Sequence, residues 1–272
     1  MCDMPSTHKK HRIAIVCGPR LYHLNTCATL IEAGLNVVGI CVADQRKMGL
    51  PLKYLWKSAK RKGFGATASR VLARIAYEVL NRRQDHIAFE QIFAREKIEA
   101  TLRPFEDRIH RTTDYSSPET LQWLKELNPD VLVVHTPYWV GKKVRELPTK
   151  GIVLGGHPGL TPEYRGSHSA FWALYFQRPE DVGCTVFLVD SGVDTGDVVA
   201  QARIPVEKGD SFVTLSWKGM VRISQLQAEA LKRLDEGIAL PRRAVSAAPE
   251  SEFDNPRLSE FLRYRLRQHL VR

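Results

Sequence analysis

Residues 151–166 read Gly151-Ile-Val-Leu-Gly-Gly-His157-Pro-Gly-Leu-Thr-Pro-Glu-Tyr-Arg165-Gly166, and the change of character inside that stretch sets the fold class. Ile152 to Leu154 is a short apolar run, and Gly-Gly-His-Pro-Gly follows at once. That pattern predicts a buried strand that stops sharply and delivers one imidazole, that of His157, into a loop of unusual backbone geometry. Loops set on rigid strand ends are where binding and catalytic groups gather. Further along, Asp190-Ser-Gly-Val-Asp194-Thr-Gly-Asp197 runs into Val198-Val-Ala-Gln201, so the carboxylate of Asp194 can meet His157 across neighbouring strand ends. One imidazole with one carboxylate is the least that acid/base chemistry requires.

Working outward, Ile13 to Cys17 reads as a buried strand, Gly18-Pro19-Arg20 as a loop, Asn25 to Ala33 as a helix stopped by Gly34, and Asn36 to Val42 as a second strand. Strand, helix, strand is a βαβ unit, which implies a parallel sheet. The Gly-Pro-Arg loop offers Arg20 and backbone amides to an anion but lacks a Gly-x-Gly-x-x-Gly or Walker pattern, and a plain strand-to-helix connection fits it equally. Ser117 to Leu127 predicts a helix with Pro118 in its first turn, and Val131 to Val134 a central strand. The loop after that strand is His135-Thr136-Pro137-Tyr138-Trp139, at the carboxyl end where open α/β sheets bind ligands. Ser169 to Phe176 predicts a helix whose Trp172 and Phe176 belong to the core. Gly183 to Val189 is expected to be a strand, and Thr214 to Leu234 a long amphipathic helix closed by Gly237.

The segment 44–104 differs from the rest. Val71, Leu72, Ile75, Ala76, Val79 and Leu80 recur at helical spacing and predict helices inserted after the second strand, apolar face on the sheet and basic face in water. The stretch 50–62 interleaves Lys53, Lys57, Lys60 and Arg61 with Tyr54 and Trp56, so membrane-surface contact is a second reading for it.

The pattern His-Pro-Gly-Leu-x-Pro-x-Tyr-Arg-Gly, then Asp-x-Gly-x-Asp-Thr-Gly-Asp and a following Gln, resembles the folate-dependent formyltransferases, among them glycinamide ribonucleotide formyltransferase, the methionyl-tRNA formyltransferase catalytic domain and the sugar N-formyltransferases. The resemblance is strong over residues 129–206 and weak over 12–42. It implies an α/β, Rossmann-type fold with a mostly parallel sheet of about seven strands and helices on both faces. A catalytic domain would cover 1–206 with the insertion at about 44–104, and a helical extension 207–272. The implied reaction passes a formyl group from 10-formyltetrahydrofolate to an amine, with His157 and Asp194 in two of the family's catalytic positions. The resemblance also gives the donor a site at His135, Thr136, Pro137, Tyr138, Trp139 and Asp190. Arg20, Arg165 and His168 are substrate-binding candidates, Arg165 being equally suited to bracing its loop with an ion pair. The family's catalytic Asn falls on Gly155, which has no side chain to hold an oxyanion. That leaves three functions open: formyl transfer with a substitute donor, related acyl transfer or formyl hydrolysis, and folate or nucleotide binding without catalysis.

Composition bounds the partners. The chain has 272 residues and a formal net charge of +10, which favours an anionic acceptor such as a nucleotide-linked amino sugar. Nucleic acid is not expected, because the residues after Pro205 are too few and too helical for a tRNA-binding barrel. Five scattered cysteines, without Cys-x-x-Cys spacing, fit neither a disulfide framework nor a metal site. No apolar run is long enough to span a bilayer, and the first ten residues lack a signal peptide's apolar core, so a cytoplasmic protein is expected.

Overall fold

The computed structural model describes residues 10–44, 56, 59–246 and 248–270. Seven strands form its central sheet: β1 (Ile13–Cys17), β2 (Val37–Ala43), β3 (Ile109–Thr112), β4 (Val131–His135), β5 (Ile152–His157) and, past the two-residue β6 (Arg165–Gly166), β7 (Gly183–Leu188) and β8 (Val198–Arg203). Their order is β3-β2-β1-β4-β5-β7-β8. Pairing from β3 to β5 is parallel, while β7 is antiparallel to both β5 and β8. The mostly parallel sheet expected from sequence is therefore present.

Alternation along the strands explains the two layers of core. Ile13 and Ile15 of β1 point to one face, Ala14 and Val16 to the other, and all four are fully buried. Strands buried on both sides need no polar positions, which is why the run read as continuous apolar sequence. The first face is covered by α1 (Leu21–Glu32), and by α2 (Phe64–Ile92) and α3 (Arg95–Leu102) from the segment between β2 and β3. The other face takes α4 (Pro118–Glu126) and α5 (Lys142–Arg145). Ser117 caps α4 by accepting from Thr120 N at 3.2 Å. After α6 (Ser169–Tyr175) and β8, the long α7 (Phe212–Asp235) returns to the first face. Its start is a reciprocal capping box between Ser211 and Thr214. Ile223 of α7 lies over β5 so closely that a Cβ at Gly156 would be 2.2 Å from its Cγ2. Two glycines at the end of β5 thus let a helix and a side chain approach the strand from opposite faces. Finally β9 (Glu252–Phe253) pairs with β6, and α8 (Leu258–Leu270) packs on α2 and α6.

Three sequence expectations are corrected. The edge strand β3 was not foreseen: Ile-His-Arg-Thr is short and half polar, as an edge strand with one open side tolerates. Phe176, expected in the core, is 46% exposed. On α2 the buried positions are Thr67, Ala73, Asn81 and Asp85, whereas Leu72, Ile75, Val79 and Leu80 face solvent. Periodicity identified a face there but not what covers it. The greater part of the basic stretch 50–62, including Lys53 and Lys57, lies outside the described residues.

Candidate active site

β5 ends on His157, and the chain then loops through Pro158 to Tyr164 before β6. This return brings the Tyr164 carbonyl to 2.8 Å from His157 Nε2. The hydroxyl of Ser169, first residue of α6, lies 2.8 Å from the same nitrogen and 3.1 Å from the same carbonyl. On the other side of the ring, Nδ1 is 3.2 Å from Asp194 Oδ2. The His157–Asp194 meeting inferred from sequence is therefore made in space. A carbonyl oxygen only accepts, so Nε2 faces Tyr164 as an N–H, while Nδ1 faces a carboxylate that also accepts. An imidazole with a carboxylate on one nitrogen, and a carbonyl and a hydroxyl on the other, is the arrangement of an acid/base pair.

Asp194 is held in place by its backbone as well as by its partner. It sits at φ +52°, a left-handed conformation that short polar residues such as Asp tolerate, and its Oδ2 also accepts from Gly166 N at 3.2 Å. Arg165, buried beside it, points inward: its guanidinium donates to the carbonyls of Val193 and Ala248 at 3.0 and 2.8 Å and to Ser251 Oγ at 3.1 Å. Those bonds tie the Asp194 loop to the C-terminal segment, and they make Arg165 a brace rather than an exposed anion clamp. Asp190 is likewise occupied with its own loop, accepting from Gly192 N at 2.9 Å and Thr195 Oγ1 at 2.8 Å. Gln201, the motif's last member, donates to Thr161 O at 2.8 Å and Thr185 Oγ1 at 3.0 Å, bracing the loop after His157.

Gly155 precedes His157 by two residues and so shares its side of the strand. A Cβ there would lie 2.8 Å from Val189 Cγ2 and 3.0 Å from the Phe187 ring. A side chain at this position would have to displace the Phe187 ring or the Val189 methyl. Since φ at Gly155 is not left-handed, the glycine serves close packing and not backbone geometry.

The loop after β4 is divided in its roles. His135, 5% exposed, turns inward onto Thr26 Oγ1, which in turn bonds Ser224 Oγ at 2.8 Å. Burial pushes this imidazole down to about 4, so it is neutral near pH 7, and the ring is not directed at a ligand. Thr136 receives a hydrogen bond from Tyr115 Oη at 3.0 Å and accepts from Tyr138 N at 3.2 Å. Pro137 and Trp139 are exposed, and Trp139 has the Arg145 guanidinium 5.7 Å from its ring centroid. Arg145 also donates to Asp190 O at 2.6 Å, linking this loop to that of Asp194. His168, at φ +56°, turns its ring edge to Phe212 rather than to the His157 pair. Arg20 is exposed at the start of α1.

A second concavity, about 620 Å³, opens where β1, β2 and β3 end, lined by Pro19, Asp44, Arg111, Thr112, Thr113 and Glu119 among others. Sequence reading missed this cleft because its lining comes from the unforeseen β3. It also passed over Ser169, whose position against His157 depends on the 164–169 return and leaves no local signature. Among the described residues there is no cluster of side chains able to hold a metal ion, and no helix is long and apolar enough to cross a membrane.

The family model described as Formyl transferase matches residues 58–231. Methionyl-tRNA formyltransferase of Caldanaerobacter subterraneus subsp. tengcongensis is 37% identical over 132 residues, 47% of this chain and 41% of that protein. The same enzyme from Thermodesulfovibrio yellowstonii is 31% identical over 140 residues, 50% of this chain and 45% of that one. The matched stretches thus span less than half the length of these relatives. Among solved structures, glycinamide ribonucleotide transformylase 1 from Symbiobacterium toebii superposes with a TM-score of 0.55 at 17% identity, over 88% of this chain and 98% of that one. A 4-N formyltransferase from Francisella tularensis gives 0.53 at 14% identity, over 93% and 87%.

Proposed function

The chain belongs to the formyl transferase family, and from that premise we propose that it moves a formyl group from 10-formyltetrahydrofolate to an amine on a small anionic acceptor, such as a nucleotide-linked amino sugar. The observation that carries the reading is the His157–Asp194 pair at the end of β5, inside the matched region. In the reaction the amine nitrogen bonds to the formyl carbon, the bond from that carbon to the folate nitrogen breaks, and a proton passes from the one nitrogen to the other. His157 Nε2–H, released from the Tyr164 carbonyl, would donate to the formyl oxygen as negative charge develops there. Asp194 would keep the ring oriented and take part in moving the amine proton. With Phe187 over Gly155, the Ser169 hydroxyl beside Nε2 is our candidate for the second donor. Trp139 and Tyr138, on the loop between the β1 and Asp194 loops, offer the donor's flat ring an aromatic surface.

Two features support the acceptor class. At the cleft, exposed Arg20 next to Pro19 is placed for an anionic group of the acceptor and Glu119 for a sugar hydroxyl, while Arg111 is paired with Glu106 at 2.6 Å. Three strand spacings separate the end of β2 from that of β5, roughly 14 Å, a span that a nucleoside diphosphate sugar bridges.

The test is an assay of tetrahydrofolate release from 10-formyltetrahydrofolate with nucleotide-linked amino sugars, glycinamide ribonucleotide and methionyl-tRNA as acceptors, the formylated amine being read by mass. Acceptor-dependent release with an amino sugar supports the proposal. Formate released without any acceptor would replace it with hydrolysis. The covered Gly155 position favours a further alternative, folate binding without turnover, which binding by calorimetry with no release under any condition would establish.

A further inference from the structure

The outer surface of α2 is apolar over the first half of the helix. Phe64, Ala68, Leu72, Ile75 and Val79 follow one another at spacings of four and three, so they form one stripe. They are not turned to the protein: Phe64 is 63% exposed, Leu72 and Ile75 51% each, and Val79 77%. The opposite side of the helix makes the internal contacts, with Tyr77 against Phe212 and Phe261, and Asp85 accepting from Ser211 Oγ. Trp56 prolongs the stripe, standing edge-on to Phe64 with ring centroids 5.7 Å apart and holding the Lys60 ammonium 5.3 Å from its ring. The neighbouring α8 adds Leu262 and Leu266, 51% and 68% exposed.

An apolar strip this long on a soluble surface has an occupant, and the surrounding charge decides among them. Lys60 and Arg61 precede the stripe, Arg82 and Arg83 follow it on α2, and α8 carries Arg265 between its leucines beside Arg263 and Arg267, which bond Tyr175. The acidic group beside it, Glu78, is paired with Arg74 at 2.8 Å. A second copy docking through this face would bring cations against cations, because an isologous contact sets the same patch against itself. An apolar stripe bordered by Lys and Arg, with a tryptophan at one end, matches instead the interface of an anionic bilayer, where apolar groups enter the acyl boundary and long cations reach the headgroups. We propose that the outer face of α2, extended by Trp56 and the α8 leucines, seats this protein on an anionic phospholipid surface. The helix lies on the membrane and does not cross it.

Co-sedimentation of the full chain with vesicles tests this. Binding to a phosphatidylcholine–phosphatidylglycerol mixture is expected to exceed binding to phosphatidylcholine alone at least ~30-fold, and to weaken with salt. The combined L72S, I75S, V79S variant should lose that binding by a similar factor while keeping its melting temperature, since those side chains make few internal contacts. R82Q with R83Q should lower it roughly 30-fold, two cations' worth of attraction to the surface. Equal binding to both vesicle types, or undiminished binding by the folded serine variant, overturns the proposal. So does a wild-type dimer that the serine variant converts to monomer while neither protein binds vesicles, which would give the stripe to a second copy. None of these residues touches the His157 pair, so formyl transfer without lipid should be unchanged in every variant, and the two proposals fail separately.

Discussion

His135 and His157 are the last residues of two adjacent parallel strands, β4 and β5, and each is 5% exposed, yet their surroundings make them different chemical groups. His135 bonds Thr26 and through it Ser224, has the His23 ring edge-on with centroids 5.5 Å apart, and is held near 4 by burial. His157 meets a carboxylate on one nitrogen, and a carbonyl and a hydroxyl on the other. Equal burial therefore says nothing about role. A buried imidazole bonded to hydroxyls packs as a polar core residue, whereas one set against a carboxylate is placed for proton transfer.

The largest effect that could break this contrast is at Asp194. Asp194→Ala removes the counter-charge and should lower turnover about 100- to 1,000-fold with little loss of stability, measured by steady-state formyl transfer beside a thermal melt. A fully active, folded variant would leave His157 no different from His135. At Gly155 the expected effect is on stability first. Gly155→Asn pushes a side chain into Phe187 and Val189, at a cost of about 1–3 kcal/mol in denaturant unfolding. In a double-mutant cycle, Gly155→Asn should cost less in a Phe187→Ala background than in wild type. A single variant as stable as wild type would show the ring to be a movable cover.

For His135 the expectation concerns pH. Its folded value of about 4 lies below the ordinary 6.5, so between those values the unfolded chain binds the extra proton. The contribution of the neutral ring to stability is complete above pH 6.5 and is lost as pH falls to 4, up to about 3 kcal/mol. Denaturant midpoints measured across that range should fall more steeply for wild type than for His135→Gln.

The same contrast shows where sequence was sufficient. The end of β5 was legible because a strand stop, Gly-Gly-His-Pro-Gly, and an Asp-Thr-Gly-Asp turn are local signals, and the loop joining β7 to β8 carries Asp194 onto the His157 ring. The inward turn of His135 was not, since it depends on Thr26 of α1 and Ser224 of α7, residues far away in the chain. The Phe187 ring over Gly155 comes from antiparallel pairing of β7 with β5, a register that no motif encodes. Arg165 illustrates the limit in another way: as a residue type it suits a phosphate or a brace, and only its contacts with Val193 and Ala248 distinguish the two. On α2 the 3.6-residue period was correct and the direction reversed, because apolar periodicity is identical whether a core or a partner surface covers it.

The central claim, that chemistry resides at the end of β5 and not at the end of β4, is tested most directly by comparing kcat/KM for formyl transfer in His157→Gln and His135→Gln under identical conditions. The first should lose at least ~100-fold and the second stay within about threefold of wild type once folded protein is equalised. Equal losses, or a larger loss at His135, would contradict it.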